Sequence, residues 1–199
     1  MNIAICISGN KRTFDKLKQN IEFNLINGSN KIFAVLDEQI DLDINRALYF
    51  QEQKLFTDYI DKFNNQKRPE TSVNNVLQMF YRIYKCGQLK KEYENEKNTK
   101  FDIVARLRPD LEFLNKVDFK FLNDNEIAIP SEYNFGGICD QFFYSNSKTY
   151  DKISELYLNI LNYIDEGCVF HPETLLMHHC CKNDIKPIIQ EDLKFKINR

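Results

Sequence analysis

The residues best equipped for chemistry in this chain are Arg106, Arg108 and Asp110, which close the segment Phe101-Asp-Ile-Val-Ala-Arg-Leu-Arg-Pro-Asp110. The segment begins apolar, as a buried strand does, and Pro109 pushes Arg108 toward an extended backbone. Side chains alternate faces along a strand, so Arg106, Arg108 and Asp110 are expected to project to one side. Two guanidinium forks beside one carboxylate can grip a diphosphate and hold either a metal ion or a sugar hydroxyl. Placement favours a ligand over a solvated surface, because open α/β sheets bind ligands beyond the carboxyl ends of their strands.

Other segments carry candidates of the same kind. Ser8-Gly9-Asn10-Lys11-Arg12 follows the apolar run Ile3 to Ile7; Gly9 permits close backbone approach, and Lys11 or Arg12 can meet a phosphate. Neither G-x-x-x-x-G-K-[ST] nor G-x-G-x-x-G is present, so this is not a P-loop or a dinucleotide fingerprint. Asn75, Gln78 and Arg82 fall at i, i+3, i+7 beside an apolar stripe, as the rim of a cleft or a solvated helix face would place them. Asp140-Gln141 interrupts an otherwise apolar strand from Ile138 to Tyr144, and a carboxylate there needs a partner or a task. Asp140 is therefore the leading candidate for a general base or a ligand of an acceptor hydroxyl. His171-Pro172-Glu173 stands at a helix N-terminus, where partial positive charge favours a carboxylate or a bound anion, and Glu173 is the second candidate base.

Two apparent metal motifs are set aside. In His178-His179-Cys180-Cys181 only His178 and Cys181 share a helix face. Asp41-Leu42-Asp43 copies the D-x-D pattern but lies in a polar stretch that reads as a surface turn.

The elements that position these groups alternate helix and strand. Lys31 to Leu36 is a second strand, a helix starts near Phe14, and Ile44 to Phe63 is expected to be helical. Val73, Val76, Leu77, Phe80, Ile83, Tyr84 and Gly87 give the clearest helical period, after a Thr71/Ser72 cap, and that helix is expected to end in a solvated charged run from Lys90 to Lys100. Glu126 to Pro130 reads as a strand, and a helix capped by Asn146 or Ser147 carries a stripe from Tyr150 to Ile164 and stops at Gly167. Ile185 to Ile189 and Leu193 to Ile197 are expected edge strands. The 199 residues show no repeat or linker, which predicts one domain.

With 27 basic and 29 acidic residues the net charge is -2, so no global field draws the chain to nucleic acid. No run approaches the ~20 apolar residues of a membrane span and no signal peptide is apparent, so a cytoplasmic location is expected, compatible with peripheral membrane association. Six scattered cysteines without a C-x-x-C pair suit reduced thiols.

Taken together, Ser8-Gly9-x-x-Arg12, Gln78-x-x-Tyr81, the segment from Phe101 to Asp110, Asp140-Gln141-Phe142 and His171-Pro172-Glu173 make the chain resemble small GT-A-type glycosyltransferases of bacterial capsule and lipopolysaccharide clusters and of large viruses. The resemblance implies a GT-A-like, Rossmann-related mixed sheet flanked by helices. It also implies sugar transfer from a nucleotide diphosphate-sugar donor to a glycan or lipid-linked acceptor hydroxyl, for surface polysaccharide synthesis. Ser8, Gly9, Arg12, Asn75, Gln78, Arg106, Arg108, Asp110 and His171 would then hold the donor, and Asp140 or Glu173 would serve as base. Asp110 would take the place of the D-x-D element that meets Mn²⁺ or Mg²⁺. Arg108 stands where the first acid of that element belongs, and an arginine can neutralise diphosphate charge without a cation. The competing readings are a sugar-phosphate phosphotransferase, for which no nucleophile is evident, and a non-catalytic nucleotide- or glycan-binding module.

Overall fold

A computed structural model describes residues 1–51 and 54–198. The strands are β1 (Ile3–Gly9), β2 (Lys31–Leu36), β3 (Arg46–Tyr49), β4 (Ile103–Leu107), β5 (Leu111–Phe113), β6 (Glu126–Pro130), β7 (Phe142–Ser145), β8 (Lys186–Gln190) and β9 (Phe195–Ile197). The helices are α1 (Phe14–Asn24), α2 (Ile60–Gln66), α3 (Val73–Lys97), α4 (Ser147–Ser154), α5 (Leu156–Asp165) and α6 (Pro172–Lys182). Seven strands form one mixed sheet in the order β3-β2-β1-β4-β7-β6-β8, and β5 pairs with β9 in a separate ribbon. The architecture is a mixed α/β, Rossmann-like sheet flanked by helices. No helix among the described residues is long and apolar enough to cross a membrane.

Strand parity divides the core in two. Ile3, Ile5, Ile7, Ile103, Ala105 and Leu107 pack under α1 and the β5/β9 ribbon. Ala4, Cys6, Phe33, Val35, Val104 and Phe143 pack under α3 and the α4–α6 layer. Arg106 has the parity of Val104, so the alternation of β4 drives a guanidinium into the helix-covered face.

Register gathers the functional ends. β1 runs parallel to β4 with Ile7 opposite Leu107. β7 runs antiparallel to β4 and places Phe142 opposite the same Leu107. The residues just after β1 and β4 and just before β7 therefore meet at one edge of the sheet, where the parallel half gives way to the antiparallel half.

Four expectations need correction. Ile44 to Phe63 is not one helix: Asn45 exchanges hydrogen bonds with the backbone of Ile32, its N–H donating to the Ile32 carbonyl and its Oδ1 accepting from the Ile32 N–H. That contact sets Arg46–Tyr49 beside β2 as a parallel edge strand, and only α2 is helical further on; residues 52 and 53 lie outside the described residues. The stretch before Phe142 is a turn rather than strand, so Asp140 and Gln141 precede β7 instead of interrupting it. The charged end of α3 is not solvated throughout, since Lys90 is fully buried and Glu94 is 1 % exposed. The stripe from Tyr150 to Ile164 is also broken at Glu155 into α4 and α5.

Candidate active site

Beyond the merged strand ends lies a cavity of ≈ 620 Å³, within the range usual for small-molecule sites. Ser8, Gly9, Arg12, Asn75, Gln78, Arg106, Arg108, Asp140, His171 and Glu173 all line it. Of the residues offered in the sequence as donor contacts or bases, Asp110 and Lys11 are not on its wall. Five segments of the chain thus converge, because the sheet register and the N-termini of α3 and α6 face one space.

Glycines fix two of the approaches. Gly9 has φ +142, and a β-carbon there would come within 3.1 Å of the Pro109 ring, so the loop after β1 lies against the turn after β4 only because residue 9 lacks a side chain. A β-carbon at Gly137 would overlap the Glu173 carbonyl, which also accepts a hydrogen bond from the Ile138 N–H at 3.0 Å. The loop that delivers Asp140 is thereby stapled to the first turn of α6, which delivers Glu173. Arg68 adds to this hold, donating from Nη1 to the Phe135 carbonyl at 2.9 Å.

Arg106 forms the floor. It is fully buried, and its Nε, Nη1 and Nη2 have no hydrogen-bond partner among the described residues. Burial lowers its pKa, opposed chiefly by the charge of Asp140. Around it, Ser8 Oγ, Thr71 Oγ1 and Gln141 Oε1 are likewise buried without partners. Buried polar atoms are nearly always satisfied in folded proteins, and each such exception asks for an explanation. Here the exceptions cluster on one cavity.

Asp110 is held quite differently. It is fully buried, its Oδ2 accepts from Arg12 Nη1 at 2.7 Å and from Arg108 Nη2 at 2.8 Å, and Arg108 Nε lies 2.6 Å from Oδ1. Burial pushes its carboxyl up, but the hydrogen bonds and charges of Arg108 and then Arg12 outweigh this and hold it below the ordinary carboxylate value. The expected common projection of Arg106, Arg108 and Asp110 therefore fails at Asp110. β4 stops at Leu107, and Arg108-Pro109-Asp110 turns the acid back beneath the two arginines. Arg12 itself has φ +46, a left-handed backbone that costs a non-glycine residue on the order of 1 kcal/mol and aims its side chain at Asp110.

As a ligand for a divalent cation, Asp110 fits poorly. Its oxygens are engaged by guanidinium groups, and no group of three or more His, Cys, Asp or Glu among the described residues is placed to hold a metal. The rejected cluster on α6 has other duties: His178 Nε2 lies 3.0 Å from Glu166 Oε2, and His179 is buried against Tyr163 at 2.7 Å.

Asp140 and Glu173 lie together on the cavity wall, both 4 % exposed. Burial first, then the charge of Asp140 and a hydrogen bond with it, pushes the Glu173 carboxyl up to about 8. Glu173 is thus largely protonated at neutral pH. His171 Nδ1 lies 3.1 Å from Glu173 Oε2, and burial together with the Arg68 charge lowers the His171 pKa, which keeps that imidazole neutral.

Arg68, Thr71 and Phe135 also line the cavity and were not anticipated. They lie in loops without periodicity, and only tertiary folding brings them to the site. Compared with protein-family models and with curated proteins, the chain matches none.

Proposed function

We propose that this protein is a GT-A-type glycosyltransferase, moving a sugar from a nucleotide diphosphate donor to an acceptor hydroxyl in surface glycan synthesis. The observation that carries the reading is the fully buried, unpartnered Arg106 guanidinium at the floor of a cavity whose wall holds an acid pair. A leaving diphosphate gains its charge as the glycosidic bond breaks, and fixed guanidinium donors in a site shielded from water stabilise that charge. Arg106 and Arg108 fill this role. The acceptor hydroxyl must lose a proton as it attacks, and the group to receive it in an inverting reaction is Asp140, because Glu173 already holds a proton at neutral pH. Glu173 in turn donates a hydrogen bond that orients Asp140.

The acid pair favours an enzyme over a binding module. Carboxyl groups beside an anion weaken its binding, so a protein that only held nucleotide would be better without them. The test is a calorimetric titration with UDP, GDP and CDP, followed by detection of free sugar from the matching nucleotide-sugar. Binding with slow hydrolysis supports the transferase; tight binding without turnover toward any acceptor reduces the protein to a binder. A folded protein that binds no nucleotide removes the reading altogether.

A further inference from the structure

We infer that the anionic group of the ligand is held by a direct arginine clamp that needs no divalent cation, with Asp110 positioning the arginines rather than ligating a metal. The inference rests on the glycosyltransferase reading for the identity of the ligand. It rests on the geometry for the way the charge is neutralised.

Asp110 is fully buried, off the cavity wall, and bridges Arg12 to Arg108 through contacts of 2.6–2.8 Å. A cation approaching that carboxylate would have to displace one or both guanidinium groups and then find oxygen ligands to complete six-fold coordination. The remaining cavity acids do not supply them: burial and the neighbouring Asp140 charge favour the protonated form of Glu173, and Glu70 faces His171 from 3.9 Å. The positive charge is instead already built in. Arg106 presents three unpartnered nitrogens, and Arg108 spends Nε and Nη2 on Asp110 while still lining the cavity. A carboxylate that fixes two guanidinium forks from behind removes the rotamer freedom that free arginines would lose on binding, so the clamp is set before the ligand arrives.

The experiment is a calorimetric titration of UDP, GDP and CDP, and of their nucleosides, in EDTA and again with Mn²⁺ or Mg²⁺. The variants are Arg106→Met, Arg106→Lys and Asp110→Asn. The expected result is diphosphate affinity equal within about twofold in EDTA and in metal, since no coordination bond contributes. Arg106→Met should weaken the diphosphate about 10- to 100-fold and leave the nucleoside unchanged. Arg106→Lys, which keeps the charge but not the fork, should fall between and covers the case in which the methionine variant does not fold. Asp110→Asn should weaken the diphosphate in EDTA without creating or abolishing a response to metal. A diphosphate affinity tighter by about tenfold or more in Mn²⁺, lost on Asp110→Asn, would overturn the clamp and leave the transferase standing. Unchanged affinity in both Arg106 variants overturns it too. Absence of nucleotide binding in every condition defeats the transferase reading and the clamp together.

Discussion

Among the described residues Lys90 and Arg106 are fully buried cations, and they could hardly be treated more differently. Lys90, on α3, is fully buried and its ammonium meets Glu94 Oε2 at 3.1 Å, Ser147 Oγ at 2.7 Å and Asp151 Oδ1 at 2.6 Å. Glu94 is saturated in its turn, with Ser147 Oγ at 2.5 Å, Lys100 Nζ at 2.8 Å and the Phe101 N–H at 3.1 Å. Burial pushes the Glu94 carboxyl up, and the hydrogen bonds from Lys100 and Ser147 with the Lys90 charge more than reverse it. Arg106, equally buried, has no hydrogen bond among the described residues. The first cation joins α3 to α4 and to the start of β4; the second stands unmatched at a cavity. Under the function proposed above, the second is the cation left open to the ligand.

That contrast can be broken by substitution. Lys90→Met leaves Glu94 buried with part of its compensation gone, and chemical denaturation should show a loss of about 3–5 kcal/mol, the usual result of removing one member of a buried pair. A loss under about 1 kcal/mol would mean that the network is ornamental and the comparison void. Asp140→Asn probes the other region: turnover should fall about 10²–10⁴-fold with nucleotide affinity and melting temperature close to those of the parent, because shape is kept and basicity is removed. If turnover survives, Glu173→Gln is the next variant, and survival of both excludes a protein-derived base.

Arg106→Met should have the opposite sign to Lys90→Met. Replacing a buried unpaired charge with an apolar side chain of similar length is expected to stabilise the ligand-free fold by about 1–3 kcal/mol, read as a higher denaturation midpoint at unchanged slope. Destabilisation of that size would instead give Arg106 a structural role like that of Lys90. A further test of the acid pair concerns pH. Glu173 in the folded chain holds its proton up to about 8, whereas the ordinary value is 4.5. Between those values the folded state binds more protons than the unfolded state, so this group makes stability fall as pH rises from about 4.5 to 8 and adds no slope above. Stability curves at pH 5 and pH 8 should therefore lie closer together in Glu173→Gln than in the parent.

Much of this was legible in the chain. Lys31 to Leu36 and Glu126 to Pro130 match β2 and β6 residue for residue, because continuous apolar runs bounded by polar residues leave little choice of register. The cap at Ser72 and the start of α6 at Pro172 were equally plain. What pattern could not reveal was partnership. Lys90 and Glu94 sit in a run of charges that on its own describes a solvated helix end, and only the docking of Ser147 and Asp151 makes it an interior. Asp110 looked like a cavity ligand because alternation was carried past Leu107, where the strand had already ended. Arg68 and Phe135 gave no periodic signal at all, being brought to the cavity by the meeting of loops.

The contact of Gly137 with the backbone of Glu173 has a consequence for how the site comes into being. The acid pair is assembled from a loop and a helix, Asp140 and Glu173 lying 33 residues apart in sequence, joined by the Ile138 N–H on the Glu173 carbonyl. The parallel half of the sheet, with Arg106 on β4, does not depend on that joint. Local opening of α6 would therefore separate the acid pair while leaving Arg106 in place, and the Ile138 amide should exchange with solvent hydrogen at the rate of the first turn of α6 rather than at the far slower rate of β1 and β4. Capacity to bind and capacity to react would then be lost in separate steps as the molecule unravels.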